Sequence, residues 1–180
     1  MTGNPTILEL NSLSWYVIKR GERYGIRLKD SESRLLKEFE DIELFDIDPE
    51  WKVDAEFVKY EKPKKVEVPN IMGTTDTGLA YGKLIFTKDG IKHTLEPLGD
   101  ENNLFLVFAD MTNGEETYGA GRFLSLDSPD STGKVAIDFN RAYNPPCVFT
   151  KYATCPLPNK NNILKIKVTA GEKNFHSAFH

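Results

Sequence analysis

The stretch Tyr81–Leu98, "YGKLIFTKDGIKHTLEPL", decides the fold class. Two strand-like runs flank Asp89-Gly90, and this dipeptide between such runs is a strong short-range hairpin signal. Working outward, "LFLVFAD" follows as a continuous apolar run from Leu104 to Ala109. Its length and flanking turn residues predict a strand buried on both faces. "RFLSL", "KVAIDF" and "NILKIKV" extend the series, the last with Leu164, Ile166 and Val168 in step.

Upstream, "VDAEFVKY" alternates Val53, Ala55 and Phe57 inward, and Val66 and Val68 predict a second, shorter strand. "RYGIRLK" sets Tyr24, Ile26 and Leu28 against Arg23, Arg27 and Lys29, the period of a half-buried strand. Gly21-Glu22 joins it to "WYVIKR", so Trp15–Lys29 reads as an opening hairpin with a type II′ turn. One segment breaks the pattern. "DSESRLLKEFEDI" carries Leu35, Leu36 and Phe39 at helical spacing behind Asp30 or Ser31 as cap, which predicts a short amphipathic helix near residues 31–40. About nine or ten strands with one helix imply a mainly β, antiparallel, single-domain protein over residues 1–180. Periodicity does not choose between a sandwich and a distorted barrel.

Composition bounds function. The chain has 23 basic and 27 acidic residues and a formal charge of −4, which argues against a nucleic-acid binder relying on phosphate neutralisation. The densest basic cluster, "KYEKPKK", is diluted by Glu61 and reads as a solvated strand end. No run of about 18 apolar residues exists to span a bilayer, and "MTGNPTILELNSLSWYVIKRG" lacks the form of a secretion signal. The cytoplasm is therefore the expected location. Cofactor and oligomeric state stay open.

Two stretches carry candidate chemistry. In "DMTNGEETYGAGRFL" a strand ends at Asp110 and another begins at Arg122. Asp110, Glu116, Tyr118 and Arg122 converge there if the loop folds back, with Arg122 a planar fork for a carboxylate or phosphate. Gly114, Gly119 and Gly121 would then let backbone approach a ligand. The plainer reading is a β-connection in which Arg122 pairs internally with Asp110 or Glu116.

In "DFNRAYNPPCVFTKYATCPLP", Pro145 and Pro146 fix φ and remove two donors, giving a rigid loop that holds Asn140, Tyr143, Asn144 and Cys147. X-Pro bonds there admit the cis form. Cys147 and Cys155 are eight residues apart, roughly 26 Å if extended at about 3.3 Å per residue. Bridging requires about 7 Å or less, and no Gly or Asn marks a turn across Thr150–Ala153, so spacing speaks against a disulfide. Zinc lacks its four paired ligands. A nucleophilic Cys147 would need a base; His93 sits mid-strand between Ile91 and Leu95, and His176 and His180 lie in the tail. Downstream, "AGEK" places Glu172 and Lys173 either back against the proline loop or, more simply, in solvent.

The phrases "DMTNGEETYGAGRFL", "DFNRAYNPPC", "TCPLP" and "TAGEK", in this order, resemble the bacterial and archaeal family catalogued as domain of unknown function 1684. "YGIRLKD", "FDIDPEWKVDAEFV" and "GKLIFTKDG" extend the resemblance to about residues 15–175. It implies a polar signature of Asp110, Thr112, Glu116, Thr117, Tyr118 and Arg122. The signature continues through Asp138, Asn140, Tyr143, Asn144 and Cys147 to Cys155, Glu172 and Lys173. It implies no activity. Asn159 stands where the family pattern suggests a second proline, and an N-terminal extension of longer members is reduced to Met1–Leu13.

The leading expectation is a pocket for a small polar or anionic ligand between the Asp110–Arg122 connection and the Asn140–Cys147 loop. Asp110, Glu116, Tyr118, Arg122, Asp138, Asn140, Tyr143 and Asn144 are its candidate residues. A hydrolase or transferase using Glu116 as base or Cys147 as nucleophile is the enzymatic alternative. The third is a folding device in which Arg122, Asp138 and Glu116 form a buried ion-pair network.

Overall fold

A three-stranded antiparallel sheet opens the chain, built from β1 (Leu8–Leu10), β2 (Leu13–Arg20) and β3 (Arg23–Asp30) in that order. The structure is a computed structural model and describes residues 4–20, 23–100, 102–150 and 152–175. The opening hairpin stands as its strands predict, pairing Trp15 with Leu28 and Val17 with Ile26; the turn read at Gly21-Glu22 lies outside the described residues. The helix follows as α1 (Arg34–Glu38), with Ser33 rather than Asp30 or Ser31 at its N-cap position and no side-chain capping bond. Asp30 instead accepts the Glu32 N–H at 3.0 Å in the turn before it.

Two compact units divide the chain, Met1–Asp41 and Ile42–His180. In the first, Tyr24, Ile26 and Leu28 do share a face with Val17, but that face is exposed, not half-buried. The alternation was legible; what lies over it was not.

The second unit holds the core. A 3₁₀ turn at Pro49–Trp51 leads into β4 (Lys52–Pro69), which pairs with β5 (Thr75–Lys88). Where two strands were expected there is one of 18 residues. The register jumps between Lys59 and Lys64, so a bulge holding Pro63 absorbs the "KYEKPKK" segment. A bulge lets a proline sit in a strand because its residue needs no ladder bond. Asp89 and Gly90 take φ of 52° and 74°, both positive as a type I′ turn requires. They join β5 to β6 (Ile91–Leu95).

The sheet order β10-β4-β5-β6 is completed by β10 (Lys134–Asp138), after β7 (Leu98–Gly99), β8 (Leu104–Phe108) and β9 (Arg122–Leu126) form a second sheet in sequence order. One core fills the space between: Ala55, Leu84, Phe86, Leu95, Val135 and Ile137 meet Leu104, Leu106, Phe108, Leu124 and Leu126. The sheets are antiparallel and include a curled half-barrel. Phe139 sits at the centre, against Trp51 at 5.9 Å, Phe86 at 6.0 Å and Phe108 at 5.4 Å between ring centroids. Strand β8 is covered on both faces, since Val107 packs outward with Phe123, Cys147 and Cys155.

The strand expected from "NILKIKV" does not form as a regular ladder. Leu164, Val168 and Ala170 are buried at alternate positions, so the period holds. The segment is an extended strap: Leu164 N–H donates to Ala109, and Met111 N–H to Ile166. At Val168 the acceptor is the Asp110 carboxylate instead of a backbone carbonyl. A side chain has taken over a ladder position.

Candidate functional site

Asp110 lies two residues beyond β8, where the chain turns back on itself. Its Oδ1 accepts from Thr112 N–H (2.8 Å), the Thr112 hydroxyl (2.6 Å) and Val168 N–H (3.1 Å). Its Oδ2 faces Arg122 Nη2 at 2.9 Å, and both side chains are fully buried. Arg122 spends its remaining terminal donors on the strap, Nη2 on Val168 O (2.9 Å) and Nη1 on Ala170 O and Glu172 O. Its guanidinium also lies 5.4 Å from the centre of the Phe108 ring. Burial pulls its pKa below the usual arginine value, while Asp110 and Glu172 pull it back up. A buried charge needs such pairing, because desolvation alone costs several kcal/mol. Arg122 therefore clamps the strap to the end of β9 and does not stand in solvent as a charge anchor.

The rest of the loop closes on itself. The Thr112 and Thr117 hydroxyls meet at 2.8 Å, and Asn113 Nδ2 donates to Tyr118 O. Gly121 has φ +94°, and a Cβ there would stand 2.5 Å from Phe108 O and 2.7 Å from Pro158 Cγ. Of the three glycines expected to allow close backbone approach, Gly121 does so to the protein's own chain, while Gly114 has open space about its Cβ position. Glu116 is half-exposed, 3.8 Å from Lys167. It takes no part in the buried network, nor does Asp138, which accepts from Asn140 N–H and Nδ2. Asn140 spans to Asp48, accepting its N–H at 3.0 Å and donating to its carbonyl at 2.9 Å.

The proline loop meets this clamp through one isolated bridge. Phe123 and Tyr143 exchange both backbone hydrogen bonds at 2.9 Å, which sets Arg122 opposite Asn144 on the other face. Asn144 N–H donates to Glu172 Oε2 (2.6 Å) and its Nδ2 to Lys173 O (2.8 Å). Glu172 thus reaches back to the proline loop and is not the solvent-facing residue that the simpler reading expected. Gly171, at φ +79°, makes this possible, because a Cβ would collide with Ala142 O and Phe139 O. Asp110, Arg122, Asn144 and Glu172 are brought together; Glu116 and Asn140 lie elsewhere, and Tyr143 points to the opposite face. Two buried atoms of this cluster have no partner, Arg122 Nε and Asn144 Oδ1.

The opposite face carries sulfur. Phe123 and Tyr143 stack edge-to-face at 5.9 Å, beside Cys147, Cys155 and Tyr118. The chain between the cysteines is not extended. Pro146–Val148 forms a 3₁₀ turn, Thr150 N–H returns to Pro146 O, and Ala153 N–H to Thr150 O. Cys147 N–H donates to Cys155 Sγ at 3.1 Å, so the separation inferred from an extended chain is wrong. The turn arises from prolines opening a 3₁₀ helix, not from a Gly or Asn. Both cysteines are buried and are not joined in a disulfide. The group acting on the Cys147 thiol from the side is the Tyr118 hydroxyl, whose pKa burial and the Cys147 contact push up to about 12. A phenol held protonated is no base for a thiol nucleophile. The peptide bonds are trans throughout the described residues.

Sequence reasoning missed a second polar knot. Glu96, buried after β6, accepts from Tyr60 Oη (2.7 Å), Lys64 Nζ (3.0 Å) and Asn161 Nδ2 (3.2 Å). Asn162 closes the ring through both Glu96 backbone groups. The available signal was Pro97, which ends β6 and turns Glu96 out of the strand's alternation. Asn159 starts the 3₁₀ turn at Lys160–Asn162, accepting from Asn161 N–H at 2.8 Å. It replaces a stiff exit by a capped one. Among the described residues, no three His, Cys, Asp or Glu side chains cluster to hold a metal, and no helix is long and apolar enough to cross a membrane. His93 is buried and stacked on Phe86 at 5.2 Å.

A family model described as "Protein of unknown function (DUF1684)" matches residues 37–173. Among solved structures, an uncharacterised protein from gene locus rrnAC0354 of Haloarcula marismortui, determined in solution by NMR in a structural genomics programme, is similar. It shares 31% identity over 80% of each chain, with a TM-score of 0.63. No curated protein matches.

Proposed function

The chain belongs to the DUF1684 family of proteins of unknown function, and from the geometry of its signature we propose that it binds a small polar molecule at the Arg122–Asn144 pair. The observation that carries this reading is that Arg122 Nε and Asn144 Oδ1, on residues set opposite each other by the Phe123–Tyr143 bridge, are both buried without a partner. Buried polar atoms without partners are rare, and here a donor and an acceptor fall on two facing residues. A molecule that accepts at one end and donates at the other satisfies both. Asp110 and Arg122 cancel each other's charge and Glu172 adds a negative one, so the site favours a neutral ligand over an anion. Small carboxamides, hydroxy acids in their neutral form and polyols have the required chemistry. Two thiols not joined in a disulfide fit a reducing compartment, which supports a cytoplasmic location.

A thermal-shift screen of carboxamides, hydroxy acids, amino acids and polyols tests the reading. Ligand at about 100 times its Kd stabilises by about 2.7 kcal/mol, so a binder raises Tm by about 5 °C or more. The shift should vanish in Asn144→Ala and survive in Glu96→Gln. A screen with no such compound sinks the proposal, leaving the two atoms to a bridging water.

A further inference from the structure

We propose that Cys147 and Cys155 form a redox-active dithiol that closes to a disulfide with peroxides and reopens with dithiol reductants. The first support is proximity. With an N–Cα bond of ~1.46 Å, the Cys147 N–H···Sγ distance of 3.1 Å places the Cys155 sulfur within about 4.6 Å of the Cys147 Cα. A sulfur this close to the facing Cα lies within reach of a disulfide, whose Cα atoms are about 4.4–6.8 Å apart. The second is fixation of both backbones. The Pro146–Val148 turn holds Cys147, while Ile71 N–H donates to Cys155 O and Leu157 N–H to Pro69 O. The third is Tyr118, whose hydroxyl contacts the Cys147 sulfur and keeps its proton, so it can donate a hydrogen bond to that sulfur during attack. The fourth is access: the side chains packed against the cysteine cluster, Tyr118, Tyr143 and Ala153, are themselves only partly buried.

The chemistry balances with a peroxide as oxidant. The Cys147 sulfur attacks one peroxide oxygen; the S–O bond forms, the O–O bond breaks, and the alcohol or water leaves carrying the thiol's proton. Cys155 then attacks the Cys147 sulfenic acid; the S–S bond forms, the S–O bond breaks, and water departs with the Cys155 proton. Two electrons have passed from the sulfurs to the peroxide. In reverse, a small dithiol opens the bridge by exchange and becomes the disulfide itself.

The full chain is reduced, exposed to hydrogen peroxide, alkylated and read by intact mass and peptide mapping. The expected product is one intramolecular bridge joining Cys147 and Cys155, with the loss of two hydrogens, fully reversed by dithiothreitol. Cys155→Ser should leave a dimedone-reactive sulfenic acid at Cys147. Tyr118→Phe should slow bridge formation at least about tenfold, the worth of a hydrogen bond to a charged group, while reaching the same end point. Wild-type protein with both thiols still alkylated after peroxide overturns the proposal, and so does a bridge found only between molecules. Because wild type alone decides this, a cysteine variant that fails to fold does not cloud the result.

Discussion

At the scale of single residues, the charges of Arg122, Asp110 and Glu96 are each held by several partners, and that makes their removal costly. Arg122→Ala leaves Asp110 buried without its cation, and breaking one side of a buried pair costs about 3–5 kcal/mol. Urea unfolding should show that loss, while replacing both partners together, Arg122→Met with Asp110→Leu, should recover much of it. Glu96 gives a pH dependence with a definite sign. Burial pushes its pKa up, but hydrogen bonds from Tyr60, Lys64 and Asn161 and the Lys64 charge outweigh that, and the net direction is down from 4.5. A carboxylate with a lowered folded value stabilises fully above its unfolded value and loses that contribution as pH falls through the folded one. Tyr60 is the mirror image, raised from 10.0 to about 12 by burial and by Glu96. Its contribution is present below pH 10 and disappears between 10 and 12. Unfolding midpoints measured from pH 3 to 11.5 should therefore fall at both ends, with Glu96→Gln flattening the acid limb and Tyr60→Phe the alkaline one.

At the scale of elements, the turns are where substitution bites. Gly121→Ala puts a methyl 2.5 Å from Phe108 O at a φ of +94°, and strain of this kind costs about 1–3 kcal/mol before any clash is relieved. Gly90→Ala, also at positive φ but with open space around its Cβ position, should cost less; a paired Tm measurement separates backbone strain from collision. The comparison also marks what was readable in advance. Asp89-Gly90 announced its hairpin because the chemistry of a two-residue turn is local. So did the period of Leu164, Ile166 and Val168, with Leu164 and Val168 buried and Ile166 partly so, although a carboxylate occupies part of their ladder. The joining of Val53 and Val66 into one strand was not legible, because a bulge depends on the partner strand's register. Nor was the approach of Cys147 to Cys155, since consecutive prolines at Pro145 and Pro146 permit either an extended run or the start of a 3₁₀ turn. The candidate site was half legible: Asp110, Arg122 and Asn144 were named, but which face each occupies is fixed by the single Phe123–Tyr143 bridge.

At the scale of the whole molecule, the buried residues lie in one unit. None of the described residues in 4–41 is buried, and Leu8, Leu10, Val17, Tyr24, Ile26 and Leu28 are all more than half exposed. A three-stranded sheet needs a covered apolar face to stand alone. Residues 42–180 expressed without the first unit should keep their near-ultraviolet circular dichroism and cooperative melting, whereas a peptide of residues 1–41 should show no cooperative transition. The strap has a further consequence, one of time. Arg122 is made 46 residues before Val168 and 50 before Glu172, whose carbonyls it needs. At roughly 5–20 residues per second, the nascent chain carries this cation and its carboxylate for some seconds before their last acceptors exist. A message cut short before codon 168 would yield a product unable to bury either, marked for removal by the incompleteness of its own interior.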